Sequence, residues 1–276
     1  MAASDTKSHS SLQTLDRAVA VLRTLGAGGE RGCRLVDVQR QVNLTKPTAH
    51  RLLAALTTHG LVVQDPATRC YRLGDELAVL GWSVMARTYE LRDLCQPAMD
   101  RLAEKTGDTV LMVVRSGHDT VCVERKTGSF PIKALTVEVG TRRPLGVGAG
   151  GIAILARLAD AEAIYDSVRD RLQPFPTSEE AIRGAVRRAR VSGYALSDGR
   201  VAVGVRGIAV AISDRRGAPV AGLGVAATKD RIAGDRLHWI VSLLEEERRW
   251  VETQIRSHDP VAEVVSGASR KGRARR

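Results

Sequence analysis

Aromatic side chains are scarce in this sequence: two Phe, four Tyr and three Trp make up 3% of 276 residues. Aliphatic side chains and alanine must therefore fill the interior. The stacking platforms that single-stranded nucleic acid needs are missing. Cysteine is scarce as well. Cys33, Cys70, Cys95 and Cys122 lie far apart, with no CxxC and no Cys/His ligand spacing. They read as reduced thiols, and no metal or cofactor is expected. No apolar run approaches the ~18 residues of a membrane span. The polar segment Met1 to Ser11 lacks the apolar stretch of a signal peptide. These absences predict a cytoplasmic protein with no membrane partner. Catalytic signatures are also missing: there is no HExxH, no nucleophile elbow and no cysteine with a placed base, so no catalytic residue is nominated and an enzyme is not expected.

Positive charge is present in excess. Lys and Arg number 42 against 31 Asp and Glu, a formal net charge of +11 with a pI near 10.1. Such a balance favours a polyanion, most often nucleic acid. Part of it sits in a terminal tail, where Arg270, Lys271, Arg273, Arg275 and Arg276 lie close together. A protein that bound DNA through this tail alone would show steep salt dependence and no preferred site.

Periodicity divides the chain in two. Residues 1–10 are small and polar and are expected to be disordered. Leu12, Leu15, Val19 and Leu22 share one face of a first helix beginning near Ser11, and Leu35, Val38 and Val42 repeat the spacing over a short second one. Asn43, which tolerates the left-handed conformation, ends that helix. Thr45 is a good N-cap for the next, and Pro47 fits its first turn. In this third helix Ala49, Leu52, Leu53 and Leu56 face a core, while Pro47, Arg51 and Thr58 point away with Thr48 and His50 on the shoulders. The exposed side thus carries hydroxyls, an imidazole and a guanidinium able to reach base edges in a major groove, with Lys46 suited to phosphate. Two short strands around the turn Asp65-Pro66-Ala67-Thr68-Arg69 make a wing, in which Arg69 and Arg72 would lie beside the duplex. Residues 11–74 hold nine Lys and Arg against four Asp and Glu. A winged helix used only for protein contacts needs no such face.

Helical spacing returns over 75–106, with Leu77, Leu80 and Val84 on one stripe and Leu91, Leu94, Cys95, Ala98, Met99 and Leu102 on another. From Thr109 short β-rich runs, 109–114, 120–124, 207–212 and 220–226, alternate with helical segments and close on a long helix over 229–255. The glycine run Gly146-Val147-Gly148-Ala149-Gly150-Gly151 precedes a helix expected over 152–158. It fits the dinucleotide fingerprint in letters only, because that motif needs a buried strand before it, which 141–144 does not promise. Its N–H groups suit an anion such as a carboxylate, and a tight turn for close helix packing is the other reading. Ser197-Asp198-Gly199 has turn chemistry, and His118 reads as a hairpin tip.

Taken in order, the runs Leu15-Asp16-Arg17-Ala18-Val19, Leu44-Thr45-Lys46-Pro47-Thr48-Ala49-His50-Arg51-Leu52-Leu53, Gly60-Leu61-Val62, Tyr71-Arg72-Leu73-Gly74, Leu91-Arg92-Asp93-Leu94, Thr106-Gly107-Asp108-Thr109-Val110, Arg143-Pro144-Leu145, Gly193-Tyr194-Ala195 and Gly204-Val205-Arg206 resemble the IclR family of bacterial regulators across residues 11–255. The resemblance implies an α+β chain. A winged helix-turn-helix over 11–74 is joined by a linker helix over 75–90 to a GAF-like effector-binding and oligomerisation domain over 91–256, with a disordered basic tail over 257–276. It implies a repressor or activator that binds an inverted-repeat operator in double-stranded DNA as a dimer or a dimer of dimers. Arg17 joins Thr45, Lys46, Pro47, Thr48, His50, Arg51, Arg69 and Arg72 as DNA-binding candidates. Leu135, Gly148, Ala149, Gly150, Ser197, Asp198, Gly207, Ala211, Gly224 and Ala226 are the effector-binding candidates. Family members that take small hydrophilic acids carry Cys or Ser at several of these places. Gly and Ala here point to a roomier, more apolar site, suited to an aromatic or other hydrophobic carboxylate.

Overall fold

The computed structural model describes residues 3–257. Two compact units divide the chain, Met1–Thr88 and Tyr89–Arg276. In the first, helix α1 (Ala3–Ala27) is followed by α2 (Leu35–Gln41), α3 (Lys46–Thr58) and a two-stranded ribbon of β1 (Val62–Gln64) and β2 (Tyr71–Leu73). Helix α1 starts ahead of Ser11, where no proline or glycine stands between Ala3 and Ser11 to stop it. Residues 3–10, expected to be disordered, are helical in the structure, while Met1 and Ala2, and the basic tail beyond Ser257, lie outside the described residues.

The sequence placed the short turn between α2 and α3 correctly. Asn43 takes φ of 52°, and Thr45 stands at the N-cap, its carbonyl accepting from Ala49 N at 2.9 Å. The Thr45 hydroxyl makes no cap bond; it pairs with the Thr48 hydroxyl at 2.9 Å. Val21, Val38, Ala49 and Leu53 are fully buried in one cluster with Leu25, Leu56 and Tyr71, each large side chain contributing about 1.5–3 kcal/mol. The stripe expected on α1 is only partly inward. Leu15 is 61% exposed and Val19 also lies at the surface, whereas Val21 and Leu25 carry the packing.

Helix α4 spans Glu76–Thr106 and takes in the expected linker. There follow β3 (Thr109–Ser116), β4 (Asp119–Thr127), β5 (Arg142–Pro144), α5 (Ala149–Arg157), α6 (Ala161–Val168), α7 (Glu179–Ser192), β6 (Ala195–Asp198), β7 (Val205–Ser213), β8 (Pro219–Thr228) and α8 (Gly234–Ser257). The six strands form one antiparallel sheet in the order β5-β4-β3-β8-β7-β6. Strand alternation sends Val110, Met112, Ile208, Val210, Leu223 and Val225 to a core shared with Cys95, Met99 and Leu102 of α4 and Ile240 and Leu244 of α8. Ala195, Ala209 and Ala211 face the other way, under α5, α6 and α7. His118 sits at the two-residue β3–β4 turn, with Gly117 supplying φ of 63°.

Candidate functional site

In the first unit, α3 buries Ala49, Leu53 and Leu56 and turns the opposite face outward. Thr45, Lys46, Pro47, His50 and Arg51 are exposed there, and Thr48 is half-buried. Lys46 and His50 line a groove that also takes in Arg69 of the wing. Arg34, Gln39 and Gln64 line it as well, three polar side chains that the sequence reading passed over. The wing turn is held by Asp65, whose carboxylate accepts from Ala67 N at 2.8 Å and Thr68 N at 2.9 Å. Those backbone bonds hold the Asp65 pKa below the ordinary carboxylate value. Arg69 takes φ of 59° and stays exposed, but Arg72 turns back to pair with Asp65 at 3.2 Å. Arg17 is half-buried on α1 and does not line the groove.

The second unit holds a cavity between the start of α5 and the sheet. Gly148, Ala149, Gly150, Ser197, Gly207, Gly224 and Ala226 all line it, so seven of the ten effector candidates converge. Helix α5 begins at Ala149 with Gly148 as N-cap, earlier than expected, which brings the glycine run to the cavity wall. The glycines let helix and sheet touch: a Cβ on Gly222 would lie 2.7 Å from Gly150 Cα. Residues 142–144 do form a strand, β5, but an antiparallel edge strand of three residues, not the buried strand of a dinucleotide fold.

Three candidates fall outside the cavity. Ser197 is buried and faces in, its hydroxyl donating to Val147 O at 3.2 Å. Asp198 is its strand neighbour and must face away. Asp198 pairs instead with Arg206 at 2.5 Å and Lys229 at 3.3 Å, and chiefly the Arg206 bond holds its pKa below the usual value. Ala211 shares the face of Gly207 but pairs with Gly222, where Gly150 of α5 covers the sheet. Leu135 is 51% exposed, in an irregular segment without periodicity, while its neighbours Thr136 and Val137 line the cavity.

Residues that the sequence reading missed complete the wall: Thr120 and Cys122 of β4, Thr136, Thr141 and Arg143. The spacing of Thr120 and Cys122 puts them on one strand face, a signal that was available. Burial pushes the Cys122 thiol up to about 11, which makes it a poor nucleophile. Arg143 donates to Thr136 O at 2.6 Å, and burial pulls its pKa below the ordinary arginine value. Among the described residues no group of three or more His, Cys, Asp or Glu is placed to hold a metal ion, and no helix is long and apolar enough to cross a membrane.

Residues 84–252 match the bacterial transcriptional regulator IclR C-terminal domain, and residues 14–66 match the IclR helix-turn-helix domain. The chain is 34% identical over 226 residues to the glycerol operon regulatory protein of Streptomyces coelicolor, covering 80% of this chain and 87% of that protein. Crystal structures that share its fold include the following two. An IclR family transcriptional regulator from Brucella abortus superposes with a TM-score of 0.67 at 23% identity, covering 87% of this chain and 91% of that one. An IclR homologue from Microbacterium hydrocarbonoxydans complexed with 4-hydroxybenzoate has a TM-score of 0.63 at 24% identity, covering 89% and 100%.

Proposed function

The chain belongs to the IclR family of bacterial transcriptional regulators and carries that family's DNA-binding helix-turn-helix, and on this premise we propose that it reads an operator through α3 under the control of an aromatic or hydrophobic carboxylate bound beneath α5. The observation that carries the DNA half is the two-sidedness of α3. Its apolar face is consumed by the core, so the exposed Lys46, His50 and Arg51 are left for a partner. Lys46 and Arg69, on the rims of one groove, suit phosphates, while His50 and Arg51 suit base edges. Arg72, paired with Asp65, serves the wing's shape more than the duplex. Binding as a dimer, or a dimer of dimers, would set two α3 helices about one DNA turn apart on an inverted repeat. The adjacent exposed Val79 and Leu80 of α4 support self-association. Such a regulator works in the cytoplasm, where its DNA is.

The effector half rests on the cavity. Its wall is mostly Gly, Ala, Val and Leu, so it suits an apolar body, and the α5 start offers N–H groups to an anion. The 4-hydroxybenzoate held by the Microbacterium homologue is of this class. Ligand alters DNA affinity only by binding two arrangements of the protein unequally. The test is fluorescence anisotropy on DNA from upstream of its own gene and the divergent neighbour, with scrambled competitor and a 4-hydroxybenzoate titration. Site-preferring binding that Arg51→Ala weakens by about 1–3 kcal/mol supports the reading. Equal affinity for scrambled DNA, unchanged in Arg51→Ala, refutes it.

A further inference from the structure

Arg143 is the one charged side chain among the described residues that line the cavity. Its strand neighbour Arg142 points the other way and pairs with the buried Asp119 at 3.1 Å. Several half-buried guanidiniums of this unit have carboxylates: Arg92 has Glu124, Arg101 has Glu247, and Arg231 and Arg236 share Asp108; Arg125 and Arg200 bond to backbone carbonyls, and Arg200 does not line the cavity. Arg143 has no carboxylate among the described residues; its hydrogen bond goes to the neutral carbonyl of Thr136. A cation withdrawn from water without a counter-ion is costly, and it attracts any anion that can reach it.

We infer that Arg143 is the specificity-determining residue of the cavity, selecting ligands that carry a single carboxylate on an apolar body. The inference rests on reading the cavity as the effector site. One guanidinium satisfies one carboxylate, and it can do so while keeping its bond to Thr136 O, because arginine has five N–H donors. A second carboxylate would be buried against Gly, Ala and Val with no cation to meet it. A neutral amide of the same shape would leave the guanidinium without a counter-charge.

The test is calorimetric titration of the full-length protein with benzoate and with benzamide, a neutral isostere, in wild type, Arg143→Gln and Arg143→Lys. Wild type is expected to prefer benzoate by about tenfold to hundredfold, the range of a charge-assisted hydrogen bond. Arg143→Gln should erase that preference by weakening benzoate alone, and Arg143→Lys should restore part of it. An unchanged preference in Arg143→Gln overturns the assignment. Equal affinity of wild type for both probes overturns it too, yet leaves the cavity standing as the effector site. Failure of both probes to bind wild type overturns the assignment and the aromatic-carboxylate reading together. If Arg143→Gln melts early and binds neither probe, the lysine variant decides: normal melting without a benzoate preference overturns the assignment.

Discussion

Gly222 of β8 lies where α5 rests on the sheet, and replacing it with alanine tests whether that contact is as close as the structure has it. The added Cβ would lie 2.7 Å from both Gly150 Cα and Gly150 O and 3.0 Å from its carbonyl carbon. Carbon atoms in contact prefer about 3.5–4.0 Å, so one element must retreat by about 1 Å. All three obstacles are backbone, and no rotamer change relieves them. The retreat lifts the first turn of a helix whose Ile152, Ile154 and Leu155 are all fully buried. Overpacking of this kind costs about 1–3 kcal/mol, which lowers the melting temperature by roughly 2–12 °C in a unit of this size. Thermal melts followed by circular dichroism, with a urea titration as a second measure, read the change. A melting temperature within about 1 °C of wild type would refute the reasoning, because the helix would then have room that the structure denies it.

The same substitution at Gly184, inside α7, should have the opposite sign. A Cβ there meets nothing nearer than the end of the Arg188 side chain at 3.5 Å, so Gly184→Ala should stabilise by about 0.5–1 kcal/mol in the same melts; a lower melting temperature would count against that environment. Asp198→Asn should show a pH signature. Arg206 and Lys229 depress the carboxyl pKa below 3.8, so the pairing stabilises the fold above that value and is lost as pH falls below it. Asp198 is 38% exposed, and the effect at neutral pH should not exceed about 1 kcal/mol. The gap between wild type and variant should shrink as pH falls below 3.8; a gap of constant size would mean that the pairing is not ionic.

Local chemistry was legible in the sequence by itself. The Asn43 turn, the Thr45 cap position, the α3 face and the wing depend on residues within a few positions of one another, and each stands where spacing put it. So do the four longest strands and the hairpin tip at His118, since alternation is a property of the chain. Tertiary structure decided everything that depends on what lies opposite. Periodicity grouped Leu15 and Val19 with the apolar face of α1, but only the fold showed that the face is covered at Val21 and Leu25. Family position named Ser197 and Asp198 together, yet a strand can aim only one of them at the cavity. Ala211 looked equivalent to Gly207 until Gly150 was seen to cover its end of the sheet. Arg143 stood in a quoted motif as one more basic residue, and its lack of a carboxylate became visible only when Asp119 was found with its neighbour Arg142. Spacing along a chain determines which side chains share a face; whether that face meets solvent, a core or a ligand depends on segments far away in sequence.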